Sequence, residues 1–391
     1  MKLTIYQTPK LKSLAEKTKS VFFCFVTLLF LVAVFSCRPE ANSFANAESS
    51  AVVNPETKST PSTADSEVTI TIAAVGDIML GSPFPNDSRM PPNDGADLLK
   101  PAEPILKSVD IAFGNLEGPL ADGGISTKCG KGRSRCFAFR MPTRYGKYLK
   151  EAGFDVLSLA NNHAGDFGDA GRASTRKTLD ELGIKHAGSD KYQYASTILE
   201  VKGKKIGVIG FAHNNISLNV NDLETAKKAV ADLKKRVEIV IVSFHGGAEG
   251  ADKQRVPQQT EYFFGEARGN LPLFARTVID AGADLVLGHG PHVLRGMEIY
   301  KERLIAYSLG NFVTYGWFQL QGATAETMVL EIKIDAQGRF ISGKIHPFRL
   351  EGRGILVEDN TKSAIYTVRR LSEMDFPETA PKIKDDGSIY P

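Results

Sequence analysis

VTITIAAVGDIML, residues 68–80, starts as a run of β-branched and small apolar residues and is interrupted by Gly76-Asp77. A run of that composition reads as a strand, and it leaves Asp77 where the strand stops. The arrangement recurs along the chain. Ile111-Ala112-Phe113 precedes Asn115-Leu116-Glu117, and Phe154 to Ala160 precedes Asn161-Asn162-His163. VEIVIVSF, residues 237–244, precedes His245-Gly246-Gly247. Asp284 to Leu287 precedes Gly288-His289-Gly290-Pro291-His292, and the last cluster is Leu309-Gly310-Asn311-Phe312. In an open α/β sheet the carboxyl ends of successive strands converge on one edge, so residues remote in sequence meet there.

Together these clusters supply Asp, Glu, Asn and four His, the kinds of oxygen and nitrogen donor that a pair of divalent cations requires. One such histidine alone would be read as an ordinary polar residue. Six clusters in the same relative position predict a dinuclear metallohydrolase with Mn, Fe or Zn, its candidate ligands being Asp77, Glu117, Asn162, His163, His245, His289 and His292. Two cations held close together lower the pKa of a bound water and neutralise charge on the attacked centre, whether a phosphate ester or an amide. Asp166 follows His163 by three residues and is either the group that orients its imidazole or a helix cap for the segment after it. Glu249, four residues after His245, would hydrogen-bond a ligand histidine or meet substrate, unless it is a solvated loop carboxylate. Arg140 and the basic stretch Lys128 to Arg135 would grip an anionic substrate, the alternative being a solvated basic loop. His213 ends a further apolar run, Ile206 to Phe211, and is a weaker candidate for the same cleft.

With these residues in view the chain resembles the CapA-type capsule synthesis proteins of poly-γ-glutamate production, a branch of the calcineurin-like metallophosphoesterases. The resemblance rests on AVGDIMLG (74–81), GNLEGPL (114–120), LANNHAGDFG (159–168), SFHGGAEG (243–250), GHGPHVLRG (288–296) and YSLGNFV (307–313). It implies a four-layer α/β/β/α sandwich with two metals at the sheet edge. By the same resemblance Asp77 is the first metal aspartate and Glu117 takes the bridging position. Asn162, His245, His289 and His292 complete the ligands, and His163 contacts substrate without binding metal. In two places the chain departs from the wider superfamily. Met79 stands where a histidine follows the first aspartate, which removes a ligand from one ion. Two residues rather than one separate His289 from His292, which leaves open which ion each would bind.

The N-terminus reads as an export signal. Lys2, Lys10, Lys12, Lys17 and Lys19 stand against one acid, Glu16, and sixteen almost wholly apolar residues follow, from Val21 to Ser36. That is short for a spanning helix, which takes about 20 residues. Val34-Phe35-Ser36-Cys37 resembles a bacterial lipobox, so lipidation at Cys37 competes with cleavage at Ala45-Asn46-Ala47 and secretion, and with an uncleaved anchor. Each places the protein outside the cytoplasm. The expected organisation is a signal over 1–37, a flexible Ser/Thr/Ala/Asn/Pro-rich linker over 38–67, one α/β domain over 68–360 and a peripheral tail over 361–391. Cys129 and Cys136 flank a glycine-containing loop and would form a disulfide in an oxidising compartment.

Helical patterns fall at 143–152, 169–182, 222–235 and 257–281, and AETMVLEIKIDAQGRFISGKIHPFRL, from 325, reads as a β-hairpin closing the second sheet. A net charge of +3, with several lysines in the signal, makes no case for nucleic acid. The expected partners are an anionic polymer or phosphoester, the membrane, and an envelope synthase complex. Two further readings stay open: a phosphodiesterase or phosphatase on nucleotides or lipid head groups, and a non-catalytic component that binds polymer.

Overall fold

Alternation along the strands decides which way each faces. In Thr69–Met79, Ile70, Ile72 and Ala74 point into one buried cluster while Ala73, Val75 and Ile78 belong to another. In Ile239–His245, Ile241 points to the first of these clusters and Val240, Val242 and Phe244 to a third. Strands buried on both faces must be covered on both, and here two sheets cover each other. The computed structural model describes residues 68–126, 128 and 137–391. The expected export signal with Cys37, the linker, and the Cys129 and Cys136 pair lie outside the described residues.

Among the described residues the first sheet has 10 strands and the second 7. Asn311–Thr314 beside Thr69–Met79 and Ile355–Glu358 beside Phe340–Glu351 lie off the main order of the first, and Leu218–Asn219 beside Lys204–Ala212 lies off that of the second. Across the first run Lys382–Ile383, Ser388–Tyr390, Phe340–Glu351, Glu326–Asp335, Thr69–Met79, Ile111–Leu116, Val156–Ser158 and Lys185–Ala187. Across the second run Met297–Tyr300, Arg303–Ala306, Leu285–His289, Ile239–His245, Lys204–Ala212 and Ser196–Val201. Helices Gly146–Ala152 and Gly168–Glu181 bury Leu149, Ala152 and Leu179 against the outer face of the first sheet. Leu223–Lys234 and Leu271–Asp280 bury Val230, Leu233, Phe274 and Val278 against the outer face of the second. The result is the expected α/β/β/α sandwich. Truncating a side chain in the middle layer, such as Ile241, would cost about 2–5 kcal/mol.

Three expectations need correction. Residues 257–281 are not one helix: Glu261–Phe263 and Glu266–Gly269 pair as a hairpin, and the helix starts only at Leu271. Positive φ at Gly265 and Gly269 stops a helix there, and Asn270 caps the new one by accepting from the Leu273 amide. The 326–351 hairpin extends the first sheet, with Ile72 opposite Ile332, rather than the second. Residues 361–391 are not peripheral. Helix Ser363–Asp375 puts Ala364, Ile365 and Val368 into the core between the sheets, and the last strand pairs with Phe340–Glu351. The polar, proline-containing sequence after Leu371 hid this, because the burying residues are few and spaced along one helix face. Among the described residues no helix is long and apolar enough to cross a membrane.

Candidate metal centre

Both sheets turn their carboxyl ends to the same edge, and register lines up the donors. Asp77 stands beside Asn115 on one side and Asn311 on the other, and His245 stands beside His289. Glycine makes the approach possible: a Cβ on Gly76 would lie 1.8 Å from the carbonyl oxygen of Gly310, so the strand carrying Asp77 could not otherwise come so near the 309–311 turn. Gly290, at φ +117°, where a Cβ would lie 2.5 Å from the carbonyl oxygen of Gly246, leads to His292, itself at φ +59°. A left-handed histidine is strained, and such strain is characteristic of functional turns.

Asp77, Glu117 and His292 present ligand atoms that all lie within 4.8 Å of one another, and all three residues are buried. Asp77 Oδ2 is 2.9 Å from His292 Nδ1, Asp77 Oδ1 is 3.6 Å from His289 Nδ1, and Glu117 Oε1 is 3.7 Å from His292 Nε2. The His245 ring stands 6.3 Å from that of His292. A relay of amides fixes the aspartate side: Asn115 donates to Asp77 Oδ1 at 2.8 Å, and Asn161 donates to Asn115 Oδ1 at 3.3 Å and to the Leu116 carbonyl at 2.8 Å. Asn115 and Asn161 were visible in the sequence clusters, but their role as the frame behind the ligands was not.

Whether these residues suit cations is decided by what they lack. Both oxygens of Glu117, both ring nitrogens of His245 and of His289, and Asn162 Oδ1 are buried without a hydrogen-bond partner among the described residues. Buried polar atoms are almost always bonded, and each orphan costs about 1–3 kcal/mol. Donors of this chemistry left bare in one pocket fit a divalent metal site. Without cations the charges are awkward. Burial pushes Glu117 up to about 8 and holds His245 well below the usual histidine range. Burial also opposes ionisation of Asp77, but the imidazoles of His292, bonded to it, and of His289, close beside it, prevail and hold it well down.

His163 lies beside this cluster, its Nε2 3.9 Å from Glu117 Oε1. Asp166 sits 2.6 Å from its Nδ1 and also accepts from the Phe139 amide. The residue before the following helix is Phe167, with no side-chain cap, so Asp166 serves the imidazole. Phe139 stacks on the His163 ring at 3.8 Å, and Lys128 Nζ lies 2.9 Å from Asp166 and 3.2 Å from His163 Nδ1. Burial lowers the pKa of His163 against the pull of Asp166. Glu249 joins the pocket, with Oε2 4.0 Å from His292 Nε2 and Oε1 bonded by Arg268 and Asn162. Arg140 does not join it: the guanidinium reaches the Gly124 carbonyl and lies over the rings of Phe84 and Phe167. His213 packs beside the centre, its ring 6.0 Å from that of His245. Arg268 was missed because it lies in the hairpin read as helix, where no motif marks it. Asn311 holds backbone, donating to the carbonyls of His292 and Thr324.

An α/β/β/α sandwich with a buried Asp–Glu–His cluster at the common carboxyl edge of its two sheets defines the class of protein. Residues 71–315 match the family described as bacterial capsule synthesis protein PGA_cap, and the chain belongs to that family. It is 31% identical over 269 residues to the capsule biosynthesis protein CapA of Bacillus anthracis, covering 63% of this chain and 61% of that one. It is 30% identical over 292 residues to the PGA biosynthesis protein CapA of Bacillus subtilis, covering 70% and 71%. The chain thus spans under two thirds of the first of these relatives and somewhat more of the second. Among solved structures, a hypothetical protein from Thermus thermophilus overlaps with a TM-score of 0.43 at 14% identity, covering 72% of this chain and 99% of that one. NAD nucleotidase from Haemophilus influenzae overlaps at 0.37 and 15%, covering 76% and 55%. Overlaps this slight carry no argument.

Proposed function

We propose that this chain is an envelope-located, metal-dependent hydrolase that cleaves an anionic polymer of the poly-γ-glutamate kind, or a phosphoester, in the synthesis or release of capsular polymer. The observation that carries the reading is the set of buried, partnerless donors on Glu117, Asn162, His245 and His289 facing the Asp77–His292 pair. The polymer comes from the family and from the names of its relatives. Two divalent ions, Mn, Fe or Zn, held by Asp77, Glu117, Asn162, His245, His289 and His292, would polarise the scissile group and activate a water.

The chain's own groups would do the rest. Glu117, both of whose oxygens are buried without a partner, would help to hold the cations with its carboxylate. Asp166 holds the Nδ1 side of His163 and leaves Nε2 facing the centre, where a proton can pass to a leaving group. Lys128 offers a cation beside His163 for an anionic substrate. Cys37 or the apolar segment before it would tether the enzyme outside the cytoplasm, and a Cys129–Cys136 disulfide would close the basic loop.

The test is a panel of poly-γ-glutamate and simple phosphoesters offered to the purified full chain with Mn, Fe or Zn. Metal-dependent shortening of the polymer, lost in His163→Ala and Asp77→Asn, is the expected outcome. A protein that binds both ions and turns over nothing in the panel would reject the hydrolase in favour of a polymer-binding component.

A further inference from the structure

The carboxylate of Glu249 is divided between two environments. Its Oε1 accepts from the Arg268 guanidinium at 2.8 Å and from Asn162 Nδ2 at 3.4 Å. Its Oε2 faces His292 Nε2 at 4.0 Å, and Glu117 Oε1 lies 3.7 Å from that same nitrogen. These separations are too long for hydrogen bonds. His292 Nδ1 is already engaged, 2.9 Å from Asp77 Oδ2. A ring N–H given to a carboxylate is the bond that a metal-binding histidine makes with its other nitrogen, and it leaves the lone pair on Nε2. That nitrogen has one oxygen of each carboxylate within 4.0 Å of it. Donors bound to one cation at about 2.0–2.2 Å stand roughly 3–4 Å from one another.

The loop that carries Glu249 is fixed from below. Arg295, wholly buried, pairs with Glu261 at 2.7 Å and donates to the carbonyls of Ala248 and Lys253, while Glu261 accepts from the Ala248 amide. Arg268 is almost fully buried too, so its hold on Oε1 is not a passing surface contact. Resting on the reading of this pocket as a dinuclear metal site, we propose that Glu249 is itself a metal ligand. It joins Glu117 and His292 in holding one of the two ions, with Arg268 clamping Oε1 so that only Oε2 is presented. Held this way, Glu249 would offer one oxygen and one more negative charge to that ion.

Manganese titration of the full chain, stripped with EDTA, tests this by calorimetry and by electron paramagnetic resonance of the bound ion. Glu249→Gln is the informative variant, because it keeps the oxygen that Arg268 and Asn162 use and removes only the charge and the free acceptor. The wild type is expected to take up two ions. Glu249→Gln should keep one at wild-type affinity and bind the other at least tenfold more weakly, with Glu249→Asp in between and a changed resonance for the weakened site. Two ions at wild-type affinity in Glu249→Gln, or loss of both together, overturns the assignment of Glu249 while leaving the metal site standing. No manganese on the wild type overturns the metal site, and the role of Glu249 with it.

Discussion

The strand Leu285–His289 has an acid at one end and a histidine at the other, and the two are treated in opposite ways. Asp284, buried just before it, accepts from the Val240 amide at 2.8 Å, from Lys234 at 2.6 Å and from Arg303 at 3.1 Å. His289, at the far end, has no hydrogen-bond partner on either ring nitrogen, and neither has Glu117 on either oxygen. Buried charge is therefore fully met at Asp284, while at the carboxyl end Glu117 and the ring nitrogens of His289 are left bare. The difference separates structural from functional groups. A paired acid stabilises the fold, whereas a bare one costs stability and is kept for a ligand that folding does not supply.

Matched amide substitutions bring out this contrast most strongly. Glu117→Gln should abolish uptake of at least one ion, seen by mass spectrometry of bound metal, while the metal-free protein changes by no more than about 1 kcal/mol, since no hydrogen bond is broken. Asp284→Asn should do the reverse. Metal content stays at the wild-type value, and urea unfolding loses roughly 2–3 kcal/mol, less than the cost for a fully buried pair because Lys234 is a third exposed. If the two variants lose similar stability, the distinction between the two ends fails.

Acidity sharpens the contrast next. In the metal-free pocket burial raises Glu117 to about 8. Burial alone would lower His292, but Glu117 and Asp77 override it and hold the ring protonated, at about 10. Near neutral pH the Glu117–His292 pair therefore carries a proton that a cation must displace. Metal affinity should rise with pH by about tenfold per unit for each proton released, and calorimetry in buffers of different ionisation enthalpy should detect that release. An affinity that is flat between pH 6 and about 8 would mean that these groups do not meet the ion.

Much of this was legible in the sequence because strand-plus-donor is a local pattern. Asp77, Glu117, His245 and His289 each follow their own apolar run, and parallel pairing brings the ends together without further instruction. What stayed hidden depended on side chains from elsewhere. Arg268 reaches Glu249 from a hairpin whose residues carry no strand alternation, and Gly265 and Gly269 were the one sign that a helix could not run through 257–281. Arg140 looked like an anion clamp, but Phe84 and Phe167 lie beneath its guanidinium, a contact no local pattern announces. The helix Ser363–Asp375 reads as a tail in the sequence because its apolar face is narrow, yet that face packs into the core between the sheets.

The smallest effect concerns His163, which stands between the two kinds of region, bonded on one side and open on the other. Burial holds its pKa below the ordinary histidine value, Asp166 pulls it back up, and Lys128 pushes it down. Removing the cation in Lys128→Met should raise the pKa of His163, and Asp166→Asn should lower it, so imidazolium would persist to higher pH in the first variant and vanish sooner in the second. Because Lys128 is over a third exposed, solvent screens its charge, and the stability change should stay under about 1 kcal/mol. Ring-proton NMR titration of the metal-free protein would follow both shifts. Opposite displacements would place control of this proton in the Lys128–Asp166 pair, and displacement in the same direction would mean that the substitutions act by opening the pocket to water, with Phe139 no longer seated on the ring.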